Sequence, residues 1–333
     1  MGAAVTTWLA GALAHLPVPD GPSAAAVRER AAGILRPPGA LAALDEVAEW
    51  VAGWHGTTRP AVNRPAALIF AADHGVAAAS VSSYPSEVTA AMLAAYRAHQ
   101  STITALATVA GATVDAVDVG VGRPTGDIRV EPAMDAARFE EACAAALEAV
   151  NNLDADLLVI GEMGIGNTTV AAAVTAAICG GDVQHWVGRG TGVDAEGLAR
   201  KRAAVNAAVH RVAEETDPLE ILRQVGGAEL VAMAAAVVAA RHRRLPVVLD
   251  GYVVCASALA VHAVRRDALD HCVAGHCSAE PGHRLVLDRI GKRPLLDLKL
   301  RLGEGSGAMA AVPLIRMACA GISQVPTFTE WFG

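Results

Sequence analysis

Aromatic residues are scarce in this chain: four Phe, three Tyr and five Trp make up 4% of 333 residues, while 53% are hydrophobic. The core must therefore be built from Ala, Val, Leu and Ile, whose small side chains let helices pack closely on a sheet. Length and apolar content suit one large α/β domain, or one large and one small. There is no long basic run. Lys and Arg number 27 against 34 Asp and Glu, and the net charge of −7 is spread along the chain. That excludes an obvious nucleic-acid or anionic-membrane surface and favours small-molecule partners. The longest apolar stretches, around Leu230–Ala240 and Leu245–Val264, are short or broken by Asp250 and His262, so no membrane span is expected. The apolar segment within Met1–Leu16 has no Lys or Arg ahead of it, which argues against a secretory signal and for the cytoplasm. Met1-Gly2 with Thr6 satisfies only a loose myristoylation pattern and is set aside.

The six cysteines, Cys143, Cys179, Cys255, Cys272, Cys277 and Cys319, include no C-x-x-C pair. Most lie in Ala/Val-rich segments and read as small buried apolar residues in a reducing compartment. The group His271-Cys272, His276-Cys277 and His283 does not have the spacing of a standard zinc site. No metal is expected.

Short aliphatic runs alternate with long Ala-rich stretches. Candidate strands are Ala67–Ala72, Thr113–Val119, Leu157–Ile160, Pro246–Leu249 and His271–Ala274. Candidate helices are Glu87–Ala107, Ala136–Val150, Ala195–Glu215 with Asp194 as its cap, and Gly227–Arg241. This alternation predicts a parallel sheet covered on both faces. Residues 1–60 and 305–333 read as largely helical ends that pack together as a small domain, leaving 61–304 as the large α/β domain. Gly122–Pro132 reads as a loop. Each strand candidate runs into polar or Gly residues: Asp73-His74-Gly75, Asp118-Val119-Gly120, Gly161-Glu162, Asp250-Gly251 and Gly275-His276. Ligands of open parallel sheets bind beyond such carboxyl ends.

Three Gly-rich segments carry the chemistry. Gly161-Glu162-Met163-Gly164-Ile165-Gly166-Asn167-Thr168-Thr169 leads from a strand into a helix, where free N–H groups and the helix dipole favour an anion. It fits neither the Walker nor the dinucleotide spacing; the alternative is an ordinary connection capped by Thr168. Val187-Gly188-Arg189-Gly190-Thr191-Gly192-Val193-Asp194 repeats the device ahead of a helix bearing Lys201. Leu302-Gly303-Glu304-Gly305-Ser306-Gly307 sets one carboxylate among glycines before the apolar stretch Ala308–Gly321. Buried in a crevice, such a Glu has a raised pKa and can act as a general base; on a helix start it can equally be a dipole partner. Glu162 is open to the same two readings. Ser83 and Tyr84, in Val81-Ser82-Ser83-Tyr84-Pro85, offer one wall of a pocket for a flat base, or a solvated turn.

Arg36-Pro37-Pro38-Gly39, Ala72-Asp73-His74-Gly75-Val76, Ser83-Tyr84-Pro85, the Gly161–Thr169 segment, Gly188-Arg189-Gly190-Thr191-Gly192, Gly275-His276-Cys277-Ser278-Ala279-Glu280-Pro281-Gly282-His283 and Leu302-Gly303-Glu304-Gly305, in this order, closely resemble the nicotinate mononucleotide:5,6-dimethylbenzimidazole phosphoribosyltransferases. The resemblance implies a three-layer α/β/α fold with a mostly parallel Rossmann-like sheet and a small helical domain from both chain ends. It implies transfer of phosphoribose from nicotinate mononucleotide to a benzimidazole in assembly of the cobalamin lower-ligand nucleotide. It further implies a cytoplasmic homodimer with no metal or organic cofactor. By position Glu304 matches the catalytic base and Glu162 a second acidic residue. Gly164, Ile165, Gly166, Asn167 and neighbouring Thr168, with Gly190, Thr191, Gly192, Lys201 and Ser278, match the mononucleotide-binding segments, while Ser83, Tyr84 and Leu302 lie in matching motifs. Ala91 stands where the family carries a Gln of the benzimidazole pocket, Arg36 replaces a Lys and Ser306 a Thr. The loss of that Gln opens the acceptor pocket to a related base. Other readings are the same enzyme with a different acceptor and a non-catalytic nucleotide-binding paralogue; retention of both Glu162 and Glu304 speaks against the latter.

Overall fold

Side-chain alternation along six parallel strands divides the apolar residues between two faces of one sheet. The computed structural model describes residues 8–333; the readings at Met1, Gly2 and Thr6 lie outside them. The strands are β1 (Pro65–Ala72), β2 (Thr113–Gly120), β3 (Leu157–Met163), β4 (Val247–Leu249), β5 (Cys272–His276) and β6 (Pro294–Leu296), in the order β2-β1-β3-β4-β5-β6. Every pair is parallel. Leu68 and Phe70 of β1, Leu158 and Ile160 of β3 and Val247 and Leu249 of β4 point to one core, whereas Ala67, Ile69, Leu157, Val159 and Val248 point to the other. The two-residue period of a strand produces this division.

On the first face lie α1 (Trp8–Ala14), α6 (Ala136–Asn151), α7 (Asn167–Cys179), α8 (Ala195–Arg211), α9 (Pro218–Val225), α10 (Ala228–His242), α11 (Tyr252–Val264) and α12 (Pro281–Arg289). On the second lie α2 (Gly21–Gly33), α3 (Ala42–His55), α4 (Glu87–Arg97), α5 (Thr102–Ala110) and α13 (Ser306–Ser323); α14 (Phe328–Phe332) ends the chain. The architecture is thus the three-layer α/β/α arrangement, with a sheet that is wholly parallel. α2 and the segment after it meet the C-terminal segment on the second face, whereas α1, expected with them in the small helical domain, packs on the first face against α6 and α10. Arg30 donates to the carbonyls of Ile322 and Val325, each at 2.9 Å, and pairs with Glu330, while Ile34 bridges to Thr327. By length and composition α13 is apolar enough to cross a membrane, but 56% of it is buried, packed on α3, α5 and β5. It is a core helix.

Two elements differ from the sequence reading. The single helix expected over Glu87–Ala107 is two, α4 and α5. The chain turns between them with His99 at φ +54°, and Ser101 and Thr104 form a reciprocal capping box that starts α5. Hydroxyl side chains that capture backbone N–H groups compete with a continuous helix. The second difference is β6, a three-residue edge strand beginning at Pro294; it carries no periodic signal, and Pro is tolerated at such an edge. Asp194 caps α8 as expected, accepting from Gly197 N–H at 2.7 Å, and the loop over 122–132 is a loop.

The strand order turns at β1, flanked by β2 and β3, and this reversal opens a crevice at the carboxyl ends of β1 and β3. Phe70, fully buried in the middle of this junction, is the test of the frame. Phe70→Ala should lower unfolding free energy by about 3–5 kcal/mol, read from guanidinium denaturation; a loss under about 1 kcal/mol would contradict the packing described.

Candidate active site

The end of β3 meets the turn that precedes α13. Alternation puts Gly161 on the second face, where the Glu304–Gly305 backbone lies directly on it: a Cβ at 161 would stand 2.6 Å from the Glu304 carbonyl oxygen. Only glycine admits this contact. The next residue, Glu162, lies under Gly303, where an added Cβ would come within 2.4 Å of its Oε1. Two carboxylates from distant parts of the chain, Glu162 and Glu304, are thereby brought to one place, and both are buried.

Burial pushes the Glu162 pKa up to about 8; Asp250 adds to this, as do Glu229 and Glu304, against a hydrogen bond donated by the Asn167 side-chain amide. Glu304 is also raised by burial. The Tyr96 hydroxyl beside it acts in the opposite direction, and Asp250 raises it further. Glu304 Oε2 is buried without a hydrogen-bond partner in the protein. A carboxylate with a raised pKa and an unused acceptor oxygen is equipped to take a proton from a bound ligand. Glu304 itself sits at φ +64°, a left-handed conformation uncommon outside glycine.

Beyond β3 the chain enters α7 through Gly166 at φ +97°, with no side chain capping the helix. Thr168, the cap considered from sequence, instead accepts a hydrogen bond from Lys201 Nζ at 2.8 Å. The uncapped positive end of α7 faces a cavity of about 40 Å³ lined by Val81, Ser82, Gly164, Ile165, Gly166, Asn167, Thr168, Arg189, Thr191, Val193 and Lys201. The positive end of a helix dipole and two cations around so small a space suit an anion the size of a phosphate. Lys201 is almost fully buried, and burial lowers its pKa to about 8 against the opposing pull of Glu280. Glu280 closes the second Gly-rich turn, accepting from Gly190 N–H at 2.9 Å. Two residues earlier, Ser278 donates its N–H to His283 Nδ1 at 2.8 Å, with its hydroxyl 2.9 Å from the same nitrogen. Burial depresses the His283 pKa to about 3, so its ring stays neutral and Nδ1 remains an acceptor.

The fold thus brings Glu162 to the Glu304 turn and lines one cavity with Gly164, Ile165, Gly166, Asn167, Thr168, Thr191 and Lys201; Gly190 borders Thr168 and Lys201, and Ser278 lies against Gly251 and His283. Gly192 is solvent-exposed with φ +119°. Leu302, Ser83, Tyr84 and Ala91 are solvent-exposed; from the same segment as the last three, Ser82 reaches the cavity and buried Thr89 accepts from Ile165 N–H at 3.3 Å. Arg36 pairs with Asp45 between α2 and α3. Three residues were not singled out by sequence reasoning as parts of the machinery. Asp250 was noted only as a strand end; Glu229 pairs with His74 at 2.7 Å, both side chains fully buried; Glu280 was part of a motif without a role. Each acts across the fold, so local pattern carries no signal for it.

A family model described as phosphoribosyltransferase matches residues 16–331. A relative from Methylocella silvestris, named nicotinate-nucleotide–dimethylbenzimidazole phosphoribosyltransferase, is 51% identical over 310 residues, covering 92% of this chain and 90% of its own. One of the same name from Cereibacter sphaeroides is 48% identical over 316 residues, covering 95% and 93%. The crystal structure of CobT from Thermus thermophilus superposes with a TM-score of 0.90 at 42% identity, covering 93% of this chain and 98% of that one.

The buried Glu162 gives a stability prediction. Its pKa is raised from 4.5 to about 8, so the folded protein holds this proton more tightly than the unfolded chain. The stabilisation is complete below pH 4.5 and is lost as pH rises through about 8. Glu162→Gln carries no titrating proton, so its urea midpoint relative to the wild type should climb across that interval. An offset that is the same at both ends would contradict the burial of an ionisable Glu162.

Proposed function

Starting from the premise that the chain belongs to the nicotinate-nucleotide–dimethylbenzimidazole phosphoribosyltransferase family, we propose how its residues carry the reaction. The enzyme transfers phosphoribose from nicotinate mononucleotide to 5,6-dimethylbenzimidazole or a related aromatic base. It releases nicotinate and forms the α-riboside 5′-phosphate used in cobalamin nucleotide-loop assembly.

The nucleotide phosphate occupies the cavity at the start of α7, against the amides of Gly166 and Thr168 and the Lys201 ammonium. Ser278 and the Gly190–Gly192 turn flank the ribose. This leaves C1′ near the two carboxylates. The leaving nicotinate departs from a pyridinium: the C1′–N bond breaks, its electron pair returns to the ring nitrogen, and no acid is required. The entering benzimidazole attacks C1′ from the opposite face, so β becomes α, and its ring N–H proton passes to Glu304. Glu162, across the site, stabilises positive charge that develops on the ribose when it is ionised. Its raised pKa matters here, because a cationic pyridinium arriving beside it favours the carboxylate form. The observation that carries the assignment is Glu304 itself: a buried carboxyl with a raised pKa and an unpartnered Oε2, held in a left-handed turn at the crevice.

Exposed Ser83, Tyr84 and Ala91 form the outer wall of the acceptor site, with Leu302 opposite, and a small Ala in place of the family's Gln widens the range of acceptors. Residues 61–304 act as the site-bearing unit, and 1–60 with 305–333 as a helical subdomain; the ties from Arg30 to Ile322, Val325 and Glu330 support that division. The protein works as a cytoplasmic homodimer, a location supported by six unpaired cysteines.

Incubation with nicotinate mononucleotide and 5,6-dimethylbenzimidazole should yield nicotinate and α-riboside phosphate in equal amounts by mass-resolved chromatography. Glu304→Gln should reduce kcat by about 10²–10⁴-fold while leaving nucleotide affinity close to wild type. Full turnover by that variant would remove Glu304 from the role of base.

A further inference from the structure

Asp250 follows β4 and is 1% exposed. Its carboxylate accepts from the backbone N–H of Gly305 at 3.1 Å through Oδ2 and from that of Ala308 at 2.8 Å through Oδ1. These amides bracket the start of α13, one of them belonging to the residue after Glu304. The α13 N-cap, Gly305, has no side chain to satisfy the first-turn donors, so a carboxylate from another strand does so. On its other side Oδ1 lies 3.4 Å from His276 Nε2 of β5, itself buried. An added Cβ at Gly307 would strike the His276 ring at 2.2 Å, so imidazole, helix start and carboxylate are packed without slack.

Two constraints therefore meet at Glu304. From below, the absence of a side chain at Gly161 lets its backbone rest on β3. From the side, Asp250 pins the following amide. Between them the peptide is kept in the left-handed region that a Glu does not adopt by preference. We propose that Asp250 is a positioning residue that holds Glu304 in its working conformation, with His276 bracing Asp250 from β5; this rests on the reading of Glu304 as the base. Asp250 touches no reacting atom in this scheme. Its second influence is its charge. The groups facing it are Glu162 from β3, Glu304 from the turn, His276 from β5, Cys255 from α11 and His283 from α12, along with the positive end of α13. Among these, Asp250 disfavours ionisation of both Glu162 and Glu304.

Asp250→Asn is nearly isosteric, keeps one acceptor oxygen and replaces the other with a donor that cannot receive an N–H. The grip on the turn is halved and the charge removed. In the full-length enzyme kcat should fall about 10²-fold, the scale of a misplaced reacting group, while KM for nicotinate mononucleotide stays within about threefold. The acid limb of the rate profile should move to lower pH, because Glu304 loses a neighbour that opposes its ionisation. In a Glu304→Gln background the same change should cost nothing further, since a residue that acts through Glu304 has nothing left to position. A kcat within about twofold of wild type, or an equal loss in both backgrounds, would overturn the proposal while leaving Glu304 as the base. Wild-type turnover by Glu304→Gln alone would overturn the base reading and this proposal with it. Should Asp250→Asn fail to fold, His276→Asn leaves the carboxylate in place and removes only its brace. A drop in kcat of about fivefold, absent in the Glu304→Gln background, is then expected, and an unchanged kcat contradicts the role.

Discussion

The contact between the Glu304–Gly305 backbone and Gly161 is the one on which the site depends. Any side chain at position 161 would hold the turn before α13 away from β3, and the two carboxylates would no longer share a crevice. Because the contact is between main chains, its geometry is set by the sheet and by the seating of α13, not by rotamers. The apolar face of α13, buried on β5, α3 and α5, therefore contributes to chemistry as well as to stability. The joined chain ends serve the same purpose, since Arg30 anchors the carbonyls at the far end of that helix.

Around this contact the protein gathers negative charge in a dry place. Glu162, Glu304, Asp250 and Glu229 are all buried, an arrangement that costs folding free energy unless each charge is met by a donor or neutralised by a proton. Different solutions coexist. Asp250 is satisfied by backbone amides at a helix start, whereas Glu229 is met only in part, by His74 at Oε1 with Oε2 unpartnered, and Glu162 in part by Asn167. Glu304 Oε2 is buried with no hydrogen-bond partner in the protein. Stability is given up where the reaction needs a base, which is the usual relation between a functional site and the fold that holds it. At the other end of the crevice the balance reverses: Lys201 and the first turn of α7 hold positive potential in an equally buried setting, so the site is polarised along its length and orients a ligand with an anion at one end.

Much of this was legible in the sequence, for identifiable reasons. Four of six strands show as aliphatic runs because parallel strands buried on both faces are continuously apolar, the edge strand β2 shows as a valine alternation broken by Asp115 and Asp118, and strand ends show as Asp, Glu, His or Gly because polar groups must surface there. The Gly-rich turns around Gly166, Gly190 and Glu304 show because tight backbone paths demand glycine. β6 does not show, being three residues long with a leading Pro294. The break between α4 and α5 escapes because it rests on a side-chain capping contest between Ser101 and Thr104 in a stretch otherwise suited to a helix. The parts of the site hidden from sequence are those made by long-range pairing. Asp250 reaches residues more than fifty positions away, His74 reaches Glu229, and Glu280 reaches Gly190. The spacing of residues along the chain holds no trace of such pairs.

The central claim is that Glu304 receives the proton of the entering base at the junction of β3 and α13. The most direct test is a crystal structure of the wild-type protein with 5,6-dimethylbenzimidazole bound. The account predicts the ring in the crevice with one nitrogen about 2.6–3.2 Å from Glu304 Oε2 and the Glu304 turn still resting on Gly161. A ring bound in the crevice with both nitrogens paired elsewhere and Glu304 turned away would contradict it.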